Sequence, residues 1–182
     1  MKFPLLIIVT LIFNSNILSQ SQKEKEFKIF NNRVSLLSPI KPLEEDAKQT
    51  ISGLASEAYV DIKKYTFLTL LKKGQLSITI SELKEAGGLD AKEFLNTMVE
   101  GYKNSEYYTV NFGAPISISN SGLEGYEVFG RTKIKEKESS FIHISFLTDK
   151  KFMFVGIGVY EISKDKVISN KILSSLKIIS QY

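Results

Sequence analysis

The chain has 182 residues, of which 43% are hydrophobic and 24% are charged, and its formal net charge is +4. It contains no cysteine, no tryptophan and a single histidine, which excludes disulfides, thiolate nucleophiles and zinc sites built from several Cys and His ligands. Charges of both signs are mixed along the chain, whereas a nucleic-acid-binding protein shows a one-signed basic stripe or a reading motif. We therefore expect no nucleic-acid partner.

The chain begins with a short hydrophobic segment. Lys2 precedes an apolar run over residues 3–13, and small polar residues follow around Ser19 and Ser21. This order is typical of a secretory signal peptide, whereas a membrane-spanning helix needs roughly 20 apolar residues. We predict a signal peptide over residues 1–21, with an uncleaved anchor as the alternative. The mature protein is then periplasmic or secreted, has no transmembrane segment and, without a cysteine at the cleavage site, is not a lipoprotein.

Residues 22–182 show no repeat and no change of composition, so we expect a single domain. Residues 33–37 predict a first strand, which is followed by a loop that contains the acidic run Glu44, Glu45 and Asp46. Apolar stretches between basic turns then predict an antiparallel meander. Its strands are predicted at 55–62, 65–71 and 76–83, and one long bent strand is the alternative for the first two.

The best-signalled helix begins after Asp90. Asp90 is a typical N-cap, Glu93 completes a capping-box pattern, and apolar residues follow at helical spacing; they are Phe94, Leu95, Met98, Val99 and Tyr102. A second helix is predicted to begin at Ser163. Its apolar stripe consists of Val167, Ile168, Ile172, Leu173 and Leu176.

Between the two helices, alternating and apolar runs predict further antiparallel strands at 107–112, 116–118, 126–134, 140–147 and 152–160. The last of these is apolar on both faces, which is typical of a central strand covered on two sides. We predict an α+β fold, an antiparallel sheet with helices packed on it as a three-layer α/β/α sandwich.

Three segments carry a resemblance to a known family: residues 34–39 (VSLLSP), 118–126 (ISNSGLEGY) and 171–177 (KILSSLK). They resemble landmarks of the PsbP-like domain family, over nearly the whole mature chain from about Phe27 to Ile179. The family includes the extrinsic P protein of photosystem II, DcrB-type periplasmic lipoproteins and a Ran-binding nuclear import factor. The resemblance implies the fold and an accessory or assembly role, and it transfers no catalytic residue.

Two candidate sites contain side chains that can carry acid–base chemistry or bind a metal ion. His143, the only histidine, is predicted to lie on the less buried side of an edge or near-edge strand, without the partners that catalysis or metal binding needs. Glu44, Glu45 and Asp46 offer oxygen ligands, yet the spacing of a calcium loop is absent. We therefore predict no catalytic, cofactor-binding or metal-binding residue and no cofactor.

A third candidate is a shallow trough on the last strand. Gly156 and Gly158 share one face with Phe154 and Tyr160, and two missing side chains there admit either a closely packed helix or a flat ligand.

Gly87-Gly88 matches neither a P-loop nor a dinucleotide fingerprint. Four tyrosines are candidates for an exposed contact patch: Tyr59, Tyr65, Tyr107 and Tyr108.

The sequence favours an exported, non-enzymatic accessory or assembly protein that binds an envelope or extracellular protein partner. The alternative is a small-molecule or lipid-binding module with a pocket between sheet and helix. A hydrolase that uses only carboxylates ranks third, because paired Asp and Glu can carry acid and base chemistry, but no spacing identifies such a pair.

Overall fold

The computed structural model of the chain describes residues 23–47, 58–67, 74–85, 90–104, 109–134, 138–161 and 163–179. The predicted signal peptide lies outside these ranges, as do Gly87, Gly88, Tyr107 and Tyr108. The described elements, in chain order, are β1 (Lys25–Ile29), β2 (Val34–Ser38), β3 (Leu43–Asp46), β4 (Tyr59–Phe67), β5 (Gly74–Leu83), α1 (Ala91–Lys103), β6 (Thr109–Phe112), β7 (Ile116–Asn120), β8 (Leu123–Ile134), β9 (Glu138–Thr148), β10 (Phe152–Tyr160), α2 (Ser163–Ser174) and β11 (Lys177–Ile178).

Two antiparallel sheets organise these elements. The large sheet has the order β3-β4-β5-β10-β9-β8-β6, and β7 also pairs with β8. The small sheet has the order β1-β2-β11. Strand β10 lies between β5 and β9, which confirms its prediction as a central strand. The fold is therefore α+β, a mostly antiparallel sheet with two helices.

Hydrophobic side chains are buried on both faces of the large sheet, because successive side chains of a strand point to opposite faces. On one face, α1 covers Val128, Ile144 and Phe146. On the other face, Ile172 and Leu173 of α2 join the β1–β2 hairpin and Phe154 in a second cluster.

Helix α1 begins as the sequence predicts. Oδ1 of Asp90 accepts hydrogen bonds from the backbone N–H groups of Lys92 at 2.8 Å and Glu93 at 3.0 Å. These bonds satisfy two of the donors that a helix leaves free at its N-terminus. Leu95 is fully buried, so the predicted apolar stripe does face a core.

Three predictions about strands are wrong. Residues 59–67 form one strand, so the predicted break at Lys63 and Lys64 does not occur and the alternative of one long strand holds for these residues. The acidic run is not a loop but β3, because Glu45 and Asp46 pair with those lysines across the strands at 3.8 and 3.7 Å. Strand β1 was not predicted at all.

The stripe of α2 is narrower than predicted. Ile172, Leu173 and Leu176 are buried, although Leu176 lies beyond the end of the helix. Val167, in contrast, is 56% exposed. The exposed Val167 lies at the rim of the cleft that forms the candidate site.

Candidate functional site

A cleft of about 410 Å³ lies between α2 and the large sheet. The sheet contributes Glu127, His143 and Ser145, and the helix contributes Asn170 and Leu173. Polar groups and apolar walls therefore meet in one concave space, which is the usual composition of a small-molecule site.

The β8–β9 hairpin places the polar side chains of the cleft. Its register sets Glu127 opposite Ser145 and Phe129 opposite His143, so Glu127 and His143 are diagonal neighbours on one face. Nε2 of His143 lies 3.0 Å from Oε2 of Glu127. Because an ionised carboxylate only accepts hydrogen bonds, Nε2 carries the proton and donates it.

An aromatic stack holds the imidazole in place. The rings of Phe129 and His143 are stacked with centroids 4.2 Å apart. The ammonium group of Lys166, on α2, lies 3.9 Å from the centroid of the Phe129 ring. This cation–π contact joins the helix to the sheet beside the cleft.

Two residues that line the cleft have buried polar atoms without a hydrogen-bond partner among the described residues: Nδ1 of His143 and Oδ1 of Asn170. The hydroxyl of Tyr160 and Oγ of Ser169, which do not line the cleft, are also buried without a described partner. A buried polar group without a partner costs about 1–3 kcal/mol. Native proteins satisfy nearly all such groups. Atoms that remain unpaired beside a cleft therefore suit a ligand that forms hydrogen bonds.

Gly158 lies next to three residues that have these unpaired polar atoms: His143, Tyr160 and Ser169. Gly158 pairs with His143 across the strands, and a Cβ atom built on it would lie 3.1 Å from Cε1 of Tyr160 and 3.7 Å from Oγ of Ser169. Burial raises the pKa of Tyr160 to about 12, and the negative charge of Glu127 contributes to the increase. Tyr160 therefore stays a neutral hydrogen-bonding group at physiological pH.

The predicted location of His143 is wrong. Its exposed fraction is 1%, and β9 lies between β8 and β10 and not at an edge. The face that carries His143 is covered by α2, while the opposite face of β9 packs under α1. The sequence-based interpretation also missed Glu127, the partner of His143.

The glycine trough is occupied by the helix. A Cβ atom on Gly156 would lie 2.5 Å from Cδ2 of Leu173 and 2.6 Å from Oγ of Ser145. Phe154 and Tyr160, predicted to line the trough, are each 1% exposed and belong to the core. Close packing of a helix thus accounts for the missing side chains.

The remaining candidates do not converge on this site. Glu45 and Asp46 form ion pairs in β3, and no group of three or more metal-ligating side chains occurs among the described residues. Tyr65 is buried and accepts a hydrogen bond from the backbone N–H of Phe30 at 2.7 Å, so it forms no exposed patch. Tyr59 is half-buried against the cluster under α1.

Glu127 and His143 form a carboxylate–imidazole pair, as in nucleophilic enzymes, but those enzymes also align a hydroxyl or thiol with the imidazole. Within the described ranges, no hydroxyl is hydrogen-bonded to Nδ1 of His143.

The described part of the chain has no helix long and apolar enough to cross a membrane.

An α+β fold of this type is known among solved structures. The chain is similar to cyanobacterial PsbP (CyanoP) from Synechocystis sp. PCC 6803, with 12% identity, a TM-score of 0.55, and coverage of 89% of this chain and 96% of that chain. The Ran-binding protein Mog1p of Saccharomyces cerevisiae matches with 9% identity, a TM-score of 0.47, and coverage of 88% and 97%. No family model and no curated protein matches the sequence.

The chain therefore has the PsbP-like fold, as its sequence resemblance predicts. At 12% identity the likeness concerns the fold alone, because one fold hosts many unrelated functions.

Proposed function

We propose that this protein is an exported, non-enzymatic accessory protein that acts by binding, and that it binds a small molecule in the cleft beneath α2. One observation carries this proposal: His143 and Asn170 line the cleft and each holds a buried polar atom without a partner in the described structure. A ligand that completes these hydrogen bonds offsets their cost of desolvation.

The size and walls of the cleft support the same function. Its volume of about 410 Å³ falls in the range of small-molecule pockets, roughly 300–1,000 Å³. Ile118, Leu147 and Leu173 supply apolar wall area beside the polar group. A small amphipathic molecule matches this combination.

The test is a titration of the mature protein, residues 22–182, with hexan-1-ol, followed by the amide signals of Gly156, Gly158 and Asn170 in NMR spectra. We expect saturable shifts at these amides. Val167→Trp places a large ring at the mouth of the cleft and should abolish the shifts. Val60→Trp is the matched control, because Val60 is also exposed, at 48%, but does not line the cleft. Equal binding by both variants would contradict the proposal.

A second candidate function is the capture of an envelope or extracellular protein partner. Ile116 is 52% exposed and pairs with Glu127 across the strands, so it lies beside the cleft, and the exposed Val167 lines the cleft. Exposed apolar side chains that are rimmed by polar residues often mark a protein interface.

Crosslinking in envelope extract separates the two candidates. If a protein partner binds here, Ile116→Ser and Val167→Ser abolish one specific crosslinked band, whereas Val60→Ser retains it. A band that survives both substitutions argues against a partner at this surface.

Two further proposals concern architecture and export. We propose a three-layer α/β/α arrangement, with α1 on one face of the large sheet and α2 on the other; crosslinks that join α1 directly to α2 would contradict it. We also propose that the signal peptide, residues 1–21, is removed on export, so N-terminal sequencing of exported material should begin at Gln22, or at Gln20 if cleavage follows Ser19. Retention of residues 3–13 would contradict cleavage.

A further inference from the structure

We propose that the ligand of the α2 cleft is a small amphipathic amine. Its ammonium group hydrogen-bonds to Glu127, and its apolar part lies against Ile118, Leu147 and Leu173. This inference rests on the proposed function, because it requires the cleft to be a binding site.

The cleft offers hydrogen-bond acceptors. One carboxylate oxygen of Glu127 accepts the hydrogen bond from His143, and the described residues make no hydrogen bond to the other oxygen. The side chain of Glu127 is 21% exposed, so a ligand can reach it. Oδ1 of Asn170 is a buried acceptor without a described partner on the helix side of the cleft. An ammonium group carries three donors and no acceptor, which complements these atoms.

Two lysines lie near the cleft, and each already has a contact of its own. Lys171 lines the cleft, but its ammonium group lies 3.9 Å from the carboxylate of Glu24. Lys166 is positioned on the Phe129 ring. An anionic ligand would therefore bring a second negative charge next to Glu127, and two carboxylates in one site repel each other.

The experiment compares three probes that share one apolar chain: hexylamine, hexan-1-ol and sodium hexanoate, titrated into the mature protein at pH 7 and followed by NMR. We expect hexylamine to bind at least about tenfold more tightly than hexanoate, as a charge-assisted hydrogen bond predicts. Glu127→Gln keeps the shape and removes the charge, so it should weaken hexylamine about tenfold and leave hexan-1-ol nearly unchanged. Glu124→Gln is the control, because Glu124 is on the same strand but does not line the cleft.

The outcomes separate the two proposals. If the alcohol binds in the cleft but the amine binds no more tightly than hexanoate, the ligand is not an amine, and the binding function stands. Unchanged hexylamine affinity in a folded Glu127→Gln variant overturns the inference in the same way. If none of the three probes shifts the amides of Gly156 and Gly158, the binding function itself fails. The comparison of probes on the wild-type protein does not depend on whether the variant folds.

Discussion

The side chain of Leu173 occupies the space above Gly156, with Cδ2 only 2.5 Å from the position that a Cβ atom on this glycine would take. A methyl group at this position would therefore have to displace the ends of the Leu173 and Ser145 side chains. The same contact sets the position of the helix over the cleft, because Leu173 also lines the cleft.

Gly156→Ala should consequently destabilise the protein. The added methyl group displaces Leu173 or Ser145, and overpacking of this kind costs about 1–3 kcal/mol. Urea unfolding of the variant measures the loss. Combination with Leu173→Ala should make the cost of the added methyl group smaller than in the wild-type background, because the two sites are in contact.

A matched control is available in α1. A Cβ atom on Gly101 would meet nothing within 4 Å, and alanine is the better helix former by roughly 0.5–1 kcal/mol. Gly101→Ala should therefore raise the free energy of unfolding. If both glycine substitutions changed stability in the same direction, the close approach of Leu173 would not be the cause.

The buried stripe of α1 gives a second prediction. Leu95 is fully buried, so Leu95→Ala should lower the free energy of unfolding by about 2–5 kcal/mol. Lys92, on the solvent side of the same helix, is exposed, and Lys92→Ala should change stability by less than about 0.5 kcal/mol. Thermal unfolding of the two variants is the measurement. Similar small shifts for both would mean that α1 does not cover a core.

The third prediction concerns stability in acid. Glu82 is buried and forms ion pairs with Arg33 at 2.6 Å and Lys151 at 3.0 Å. Burial raises the pKa of Glu82, but the hydrogen bonds and charges of Arg33 and Lys151 outweigh burial and hold the pKa below its ordinary value of 4.5. The unfolded chain then binds the proton more tightly, so this stabilisation is present above pH 4.5 and is lost as the pH falls through the folded-state pKa.

Glu82→Gln should therefore lower stability at pH 7, by about 1–3 kcal/mol, and make the loss of stability below pH 4.5 shallower. Urea unfolding at a series of pH values measures both effects. Glu100→Gln is the control, because Glu100 forms an exposed pair with Lys103 and such pairs contribute about 0–1 kcal/mol. If the stability of Glu82→Gln fell as steeply below pH 4.5 as that of the wild type, the loss of stability in acid could not be assigned to Glu82.

Local signals predicted much of the fold. Asp90 and the apolar positions after it define α1, and the apolar character of both faces of β10 identifies a central strand. The sequence did not predict strand β1, because Lys25, Glu26 and Lys28 surround Phe27 with charge, which is typical of a solvated N-terminal segment. Strand β3 was not predicted because Glu45 and Asp46 form their ion pairs with lysines of the next strand, which no local pattern shows.

The cleft was harder to predict because it depends on tertiary packing. Burial of His143 follows from the position of α2, which no local pattern specifies. Its pairing with Glu127, however, follows from the register of the β8–β9 hairpin. The sequence predicts this hairpin but not its register: the predicted strands at 126–134 and 140–147 set Ile134 opposite Ser140, whereas Ile134 pairs with Glu138. This shift changes the partner of every residue in the hairpin, so the position of Glu127 next to His143 could not be predicted.

The most direct test of the account is a crystal structure of the mature protein with hexylamine bound. We expect the amine beneath α2, with its nitrogen about 3 Å from a carboxylate oxygen of Glu127 and its alkyl chain beside Leu147 and Leu173. Hexylamine bound at saturation elsewhere on the protein, with the cleft of His143 and Glu127 unchanged, would contradict the assignment of this cleft as the binding site.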